Sequence, residues 1–377
     1  MIAGLPYLQR SGTIGRGVVH IVFLGLRDTF DYHHIGGLDS FYRRVAASCV
    51  VHGVEVQYVL YGYAVSETHS PTDGVTVIRT CSFRDALEAL DSTAGPVVVN
   101  AIRRRDRPAF MLFRRSRQRR SFHMVYSLYS ESRVRRELYM LESTLLPYNG
   151  TALALSPRLA AFAERRRNRA AVFIPPVPDM YFQRPEWESR GQLRVSFIGR
   201  IDPRKGVSEF LSIMQALDGR SNLEFSICGY PWPQCDKCMG LHERLLAEVP
   251  ESYYPADYNN WTPEVERAIV HRLHETDVLV LPYRRLSSSV DTPLLLLEGM
   301  AAGCAVISPR LGDIPDVYGE SPFVVPANDV VDSAIRLLKE TDEELQRERL
   351  RVQRRAMAMR LDQSGTFERV KSIVPLH

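Results

Sequence analysis

DTPLLLLEGMAAGCAVI, Asp291 to Ile307, runs from polar residues through four leucines, places one carboxylate at Glu298, and ends in small and apolar residues. Pro293 is a favoured first-turn residue, so the leucines and Glu298 read as a helix. AAG then closes the helix, and AVI begins a strand whose tight packing calls for small neighbours. Upstream, DVLVLPY (Asp277–Tyr283) reads as a buried strand, and RRLSSSVDTP as a polar loop with Ser287 to Ser289 in succession. The stretch is therefore the second half of a strand–loop–helix–strand unit. Its lone glutamate stands where the pattern asks for core.

The same alternation extends in both directions. GVVHIVFLG (Gly17–Gly25), VEVQYVLYG, VTVIRT, PVVVN, HMVYSLY and TALALS are strand candidates. LDSFYRRVAASCVVHG, FRDALEALD and SPRLAAFAERRR are helical stretches between them. Alternation breaks at VFIPPVPDMYFQRPEWESRGQ (Val172–Gln192), which is rich in proline and without steady period, and reads as a linker. It restarts with LRVSFIG, VSEFLSIMQAL, LEFSICG and PEVERAIVHRLHET, and closes on a long charged helical segment from Ser333. This order predicts an α/β fold with two parallel sheets, helices on both faces, and ligands at the carboxyl ends of the strands. We expect a first domain over 1–175 and a second over 176–363.

The chain has 377 residues, enough for two domains of ordinary size. No apolar run approaches the roughly 20 residues that cross a bilayer. The first residues lack the apolar core of a secretory signal, so a cytoplasmic protein is expected. The formal net charge of +4 conceals an asymmetry: residues 1–175 carry 24 basic against 14 acidic residues, and the remainder 24 against 30. A basic first half and an acidic second half point to different partners. Six cysteines are too sparse for a disulfide scaffold. Cys228, Cys235, Cys238 and His242 lie within a short span and suit tetrahedral zinc, or are a strand-end cysteine and ordinary loop groups. No Gly-x-x-x-x-Gly-Lys-[Ser/Thr] run is present, which argues against a P-loop.

Three places carry candidate chemistry. In FIGRIDPRKG, a strand ends at Gly199 and is followed by Arg200 and Lys205, two cations able to neutralise a diphosphate beside a helix start. In the opening stretch, Ser289, Thr292 and the first-turn residues Leu294 and Leu295 offer hydroxyl and backbone N–H groups to a phosphate. Glu298, one turn on, can accept two hydrogen bonds from a vicinal diol such as that of a ribose. In HHIGGLDSFYRR, Gly36 and Gly37 let the backbone approach a ligand, with His33 and His34 just before them.

Taken together, these segments resemble the family-4, or group 1, glycosyltransferases. GGLDSFYRRVAASCVVHGVEV resembles the Gly-Gly loop and helix that open that family's first domain. FIGRIDPRKGVSEFL resembles its donor-phosphate motif, LLLLEGMAAGCAVISPRLGDIPDVYG its glutamate signature, and IPPVPDMYF its interdomain segment. The resemblance implies a GT-B fold, two Rossmann-like domains facing across a cleft, with a final helix (364–377) returning to the first domain. It implies retaining transfer of a sugar from a UDP- or GDP-sugar, without a metal or other cofactor. Arg200 and Lys205 would hold the diphosphate, Glu298 the ribose, and Gly36 and Gly37 would approach the phosphate or the acceptor. The family's second glutamate falls on Val290, with Asp291 next to it as a substitute. Its donor-contacting histidine falls on Tyr129. Those two departures support an alternative, a catalytically inactive relative that binds nucleotide as a scaffold subunit. A nucleotide-sugar epimerase and a nucleic-acid binder are more distant rivals.

The acceptor, whether glycan, lipid-linked or a small molecule, is unspecified. Ile102–Arg120 contains nine arginines around an apolar patch, Ala109 to Phe113. It reads as a surface for an anionic partner, such as the inner face of a membrane, or as a solvated basic helix.

Overall fold

The computed structural model describes residues 20–27, 32, 36–100, 102–117, 119–127, 149–165, 169–184, 191–256, 260–285, 292–339 and 342–374. Its strands form two sheets. The first comprises β1 (His20–Leu26), β2 (Glu55–Tyr61), β3 (Glu67–Thr72), β4 (Val75–Thr80), β5 (Val97–Val99), β6 (Phe122–Tyr126), β7 (Ala152–Ala154) and β8 (Ala170–Val172). They lie in the order β3-β4-β2-β1-β5-β6-β7-β8. All pairs are parallel except β3 with β4. The second comprises β9 (Leu193–Ile201), β10 (Leu223–Pro231), β11 (Tyr253–Pro255), β12 (Val278–Val280), β13 (Ala305–Pro309) and β14 (Val324–Val325), ordered β11-β10-β9-β12-β13-β14 and parallel throughout.

The second order is that of a doubly wound dinucleotide-binding sheet, with the direction of winding reversing between β9 and β12. In the first sheet the reversal falls between β1 and β5. At such a point the connections leave to opposite faces, and a crevice opens outside the carboxyl ends of the strands. The interior residues explain why these segments became strands. Val22, Leu24, Val97 and Val99 of the first sheet are at most 1% exposed, as are Val195, Phe197, Val278 and Ile307 of the second. Both faces of each sheet are covered, so the strands are continuous apolar runs instead of alternating ones.

The helices relevant to the crevices are α1 (Gly37–Val51), α2 (Phe83–Asp91), α3 (Arg107–Ser116), α4 (Pro157–Glu164), α5 (Val207–Ala216), α6 (Asp236–Glu248), α7 (Pro263–Glu275) and α8 (Leu294–Ala301). Four more follow: α9 (Ile314–Tyr318), α10 (Val330–Leu337), α11 (Asp342–Ala358) and α12 (Gln363–Ile373). The charged segment from Ser333, expected as one helical stretch, is divided between α10 and α11. Helix α12 packs on α1, with Val370 and Val374 buried in the same apolar cluster as Phe41 and Val45. The antiparallel edge strand β3 has a polar sequence, ETHSPT, and no apolar alternation announces it. Its cue is the turn Asp73-Gly74, where Gly74 takes φ +74.

Candidate active site

Three connections meet at the facing carboxyl edges. The first runs from β1 into α1. Gly36 stands in extended backbone ahead of α1 and supplies no side chain to cap it. The first-turn N–H groups of α1 are thus left for solvent or a ligand. The second connection follows β9, and the third leads from β12 into α8. Pro293 precedes α8, again without a side-chain cap. Gly36, Gly37, Gly199, Arg200, Lys205, Leu294, Leu295 and Glu298 all line one cavity of about 420 Å³ between the two sheets. That volume suits a small-molecule ligand. Thr292 is fully buried beside it, and its Oγ1 has no hydrogen-bond partner among the described residues. Tyr129, Ser289, Asp291, His33 and His34 lie outside the described residues.

The loop after β9 owes its shape to Gly206, which adopts φ +81 between a short turn over Pro203–Lys205 and α5. A Cβ there would fall 1.8 Å from the Pro282 carbonyl oxygen, so only glycine lets the loop sit against the segment that follows β12. Asp202, 1% exposed, organises the cations from behind. Its Oδ1 accepts from Arg204 N–H at 2.9 Å, and its Oδ2 accepts from Arg200 at 2.9 Å and Arg204 at 2.7 Å. Burial opposes the Asp202 charge, but the Arg204 hydrogen bonds and the two guanidinium charges prevail and hold its pKa down at about 2. Arg200 also lies 5.1 Å over the Trp232 ring.

Lys205 differs from Arg200. Its ammonium sits 4.6 Å over the Tyr283 ring, with no hydrogen bond or ion pair to a carboxylate among the described residues. Burial, reinforced by the like charge of Arg200, brings its pKa down to about 8.

Glu298 is 7% exposed and is already engaged. Its Oε1 accepts from Arg44 Nη2 at 2.5 Å. Arg44 reaches across from α1 and also donates to Glu266 Oε1 at 3.0 Å, to Tyr181 Oη at 3.3 Å and to the Pro176 carbonyl at 3.3 Å. Trp261 Nε1 donates to the other oxygen of Glu266 at 3.1 Å. Burial alone would discourage the Arg44 charge, but Glu298, Tyr181 and Glu266 outweigh it and raise its pKa above the ordinary value. Next to it, Arg43 lies 4.1 Å over the Trp261 ring and donates to the Tyr32 carbonyl at 2.9 Å. Burial lowers its pKa to about 10.

Arg44, Glu266, Trp261 and Tyr181 were not among the sequence candidates. A signal existed for Arg44. It lies three residues after Phe41 and four before Ser48, on the buried stripe of α1, where an arginine must find a partner.

The zinc candidate is corrected. Among the described residues, no group of three or more His, Cys, Asp or Glu side chains is placed to hold a metal ion. Cys228 is buried within β10. Cys235 caps α6, its Sγ accepting from Cys238 N–H at 3.3 Å. His242 Nδ1 is paired with Tyr253 Oη at 2.7 Å. Strand, cap and helix each use their residue locally, which is why the spacing misleads.

The arginine run is divided. Arg117 pairs with Asp91, and Arg120 donates to the Gly95 and Leu90 carbonyls and to Thr93. Arg104, Arg105, Arg115 and Arg119 are exposed, as is Leu112 at 67%. No helix among the described residues is long and apolar enough to cross a membrane.

No curated protein matches the chain in sequence. Solved structures match its fold over almost all of its length. Sucrose-phosphate synthase from Thermosynechococcus elongatus aligns with TM-score 0.67 at 14% identity, covering 94% of this chain and 98% of that one. A glycosyltransferase from Rickettsia africae aligns with TM-score 0.67 at 11% identity over 95% and 99%. HepE of Anabaena in complex with UDP aligns with TM-score 0.65 at 11% identity over 93% and 98%. The model of the family described as "Glycosyl transferases group 1" matches residues 192–340. Residues 192–340, which include the loop after β9 and helix α8, thus match the group 1 glycosyltransferases, and the whole chain has the GT-B fold.

Proposed function

We propose that the protein is a retaining glycosyltransferase that takes a sugar from a UDP- or GDP-sugar in the cleft between its domains. The observation that carries this reading is the sharing of one cavity by Lys205, Arg200 and Glu298, with the open N-terminus of α1 facing them. Lys205 supplies one positive charge for the diphosphate. Arg200, steadied by Asp202, adds a second. The N–H groups at the starts of α1 and α8 contribute positive ends of helix dipoles. Negative charge grows on the departing diphosphate as the glycosidic bond breaks, and fixed cations aimed at it lower the barrier without reorganisation. These groups are sufficient for a mechanism that uses no metal, so chelator treatment is expected to leave transfer unchanged. Glu298 holds the ribose and fixes the nucleotide's register. Asp291 and Tyr129 are retained as candidate contacts to the transferred sugar. The acceptor enters from the first domain, where the exposed arginines in and around α3 provide a seat for an anionic surface.

The test is donor turnover with a panel of UDP- and GDP-sugars. Lys205→Ala and Glu298→Ala are each expected to abolish transfer. Nucleotide binding without hydrolysis or transfer of any donor would instead make the protein a nucleotide-binding subunit. Absence of binding to any nucleoside diphosphate would remove the reading altogether.

A further inference from the structure

We infer that Arg44 is a positioning residue that aims the Glu298 carboxylate, so that recognition of the ribose depends on the first domain being closed against the second. The inference rests on the donor reading above and names a residue that reading does not need.

Glu298 stands on α8 of the second domain, and Arg44 on α1 of the first. Arg44 takes Oε1 of Glu298 only. Oε2 has no hydrogen-bond partner among the described residues, and Glu298 lines the cavity. One oxygen is anchored and the other is left for a ligand. The anchor is itself held firmly. Glu266 accepts from Arg44 through both Nε and Nη2, and Trp261 occupies the second oxygen of Glu266. The Pro176 carbonyl accepts from Nη1, and Tyr181 Oη shares one of the two Nη2 protons. A guanidinium with its fork fixed in this way has a single orientation, and so has the carboxylate bound to it. Without Arg44, Glu298 would be free to rotate.

A merely structural Arg44 would affect every ligand of the cleft alike. A positioning Arg44 affects only the hydroxyl contact. The experiment is therefore calorimetric titration of the full chain with UDP and GDP, each beside its 2′-deoxy analogue. Wild type is expected to prefer the ribonucleotide by about 10-fold or more, the scale of a hydrogen bond to a charged group. Glu298→Gln and Arg44→Gln are both expected to shrink that preference to about 3-fold or less. Arg44→Lys keeps the charge but cannot serve Glu266 and Glu298 as a fork, and is expected to lie between. It also carries the test should Arg44→Gln fail to fold.

If the Arg44 variants weaken ribo and deoxy ligands by the same factor and keep the ratio, the inference is overturned while the donor reading stands. A wild type that binds both equally removes the Glu298–ribose contact and this inference with it, but leaves diphosphate binding. A wild type that binds neither nucleotide ends both.

Discussion

Lys205 holds a charge that burial and the like charges of Arg200 and Arg204 resist and that Asp202 offsets only in part. Its folded pKa, about 8, lies below the ordinary lysine value. Between those two pH values the unfolded chain carries a proton that the folded chain has lost, so stability rises with pH through that window. Below pH 8 the cost is present in full. Replacing Lys205 with methionine removes it. At pH 7 we expect Lys205→Met to be more stable than wild type by on the order of 1 kcal/mol, a rise of about 2–4 °C in Tm. The advantage should vanish above pH 10. Nucleoside diphosphate affinity should move the other way, lost in the variant and falling in wild type between pH 7 and 9.5 as Lys205 deprotonates. Thermal unfolding and titration at the two pH values check both. A variant less stable than wild type at pH 7 would mean that Lys205 has a structural partner after all. The contrast with Arg44 shows what a sequence displays. Lys205 and Glu298 stand out because each interrupts an expected pattern, a cation after a strand-ending glycine and a carboxylate inside an apolar helix. Arg44 sits in an arginine pair on a half-apolar helix, and its partners are 222 and 254 residues away. Local reading carries no information about partners at that distance.

At the scale of elements, what local chemistry dictates was readable, and what depends on pairing was not. Helix α2 begins at Ser82 with a reciprocal capping box to Asp85, and the central strands are apolar runs between turn residues. Strand β3 is polar and exists because β4 offers it an edge. Helix α3 shows the same divide. The arginines in and after it look equivalent in sequence, yet Arg117 and Arg120 lock the end of the helix and the turn that follows to the end of α2. Arg105, Arg115 and Arg119 are exposed, as is Leu112. Exchanging all arginines together would therefore confuse unfolding with lost binding. The informative variant is Arg105→Gln/Arg115→Gln/Arg119→Gln. A basic side chain near an anionic bilayer contributes about 1 kcal/mol, so losing three should weaken binding to phosphatidylserine vesicles by on the order of 100-fold, with the melting temperature unchanged. Arg120→Gln should do the reverse, lowering the melting temperature by removing carbonyl contacts while leaving vesicle binding nearly intact. Equal vesicle binding by wild type and the triple variant at low salt would reduce the run to a solvated basic helix.

Across the whole molecule, the chain's last helix belongs in space to its first domain. The return is made at Arg360, which takes φ +50, and Gly365 packs against its carbonyl so closely that a Cβ would lie 2.3 Å away. The two passages between domains are tied to each other, Val177 N–H donating to the Leu361 carbonyl at 2.8 Å. Helix α12 then stacks Phe367 on His52, with ring centroids 4.1 Å apart and planes within 7°, and buries Val370 against α1. Helix α1 is thus gripped on one side by α12 and on the other by Glu266 and Glu298 through Arg44. Both ties join sequence-distant parts, and both bear on the helix whose N-terminus opens into the cleft. We therefore expect one cooperative thermal transition for the intact protein, since neither domain can loosen without disturbing α1. Removing residues 363–377 should leave α1 held from one side only and expose the apolar surface under Phe367 and Val370. Calorimetry of the shortened chain is expected to show two transitions, the first domain melting earlier, while the second, with its own core around β9 and β12, melts near its former temperature. Nucleotide should then protect the early transition only weakly, because its contacts to α1 would form on a loosened helix. A shortened chain that still melts once, at the original temperature, would show that α12 rests on α1 without supporting it.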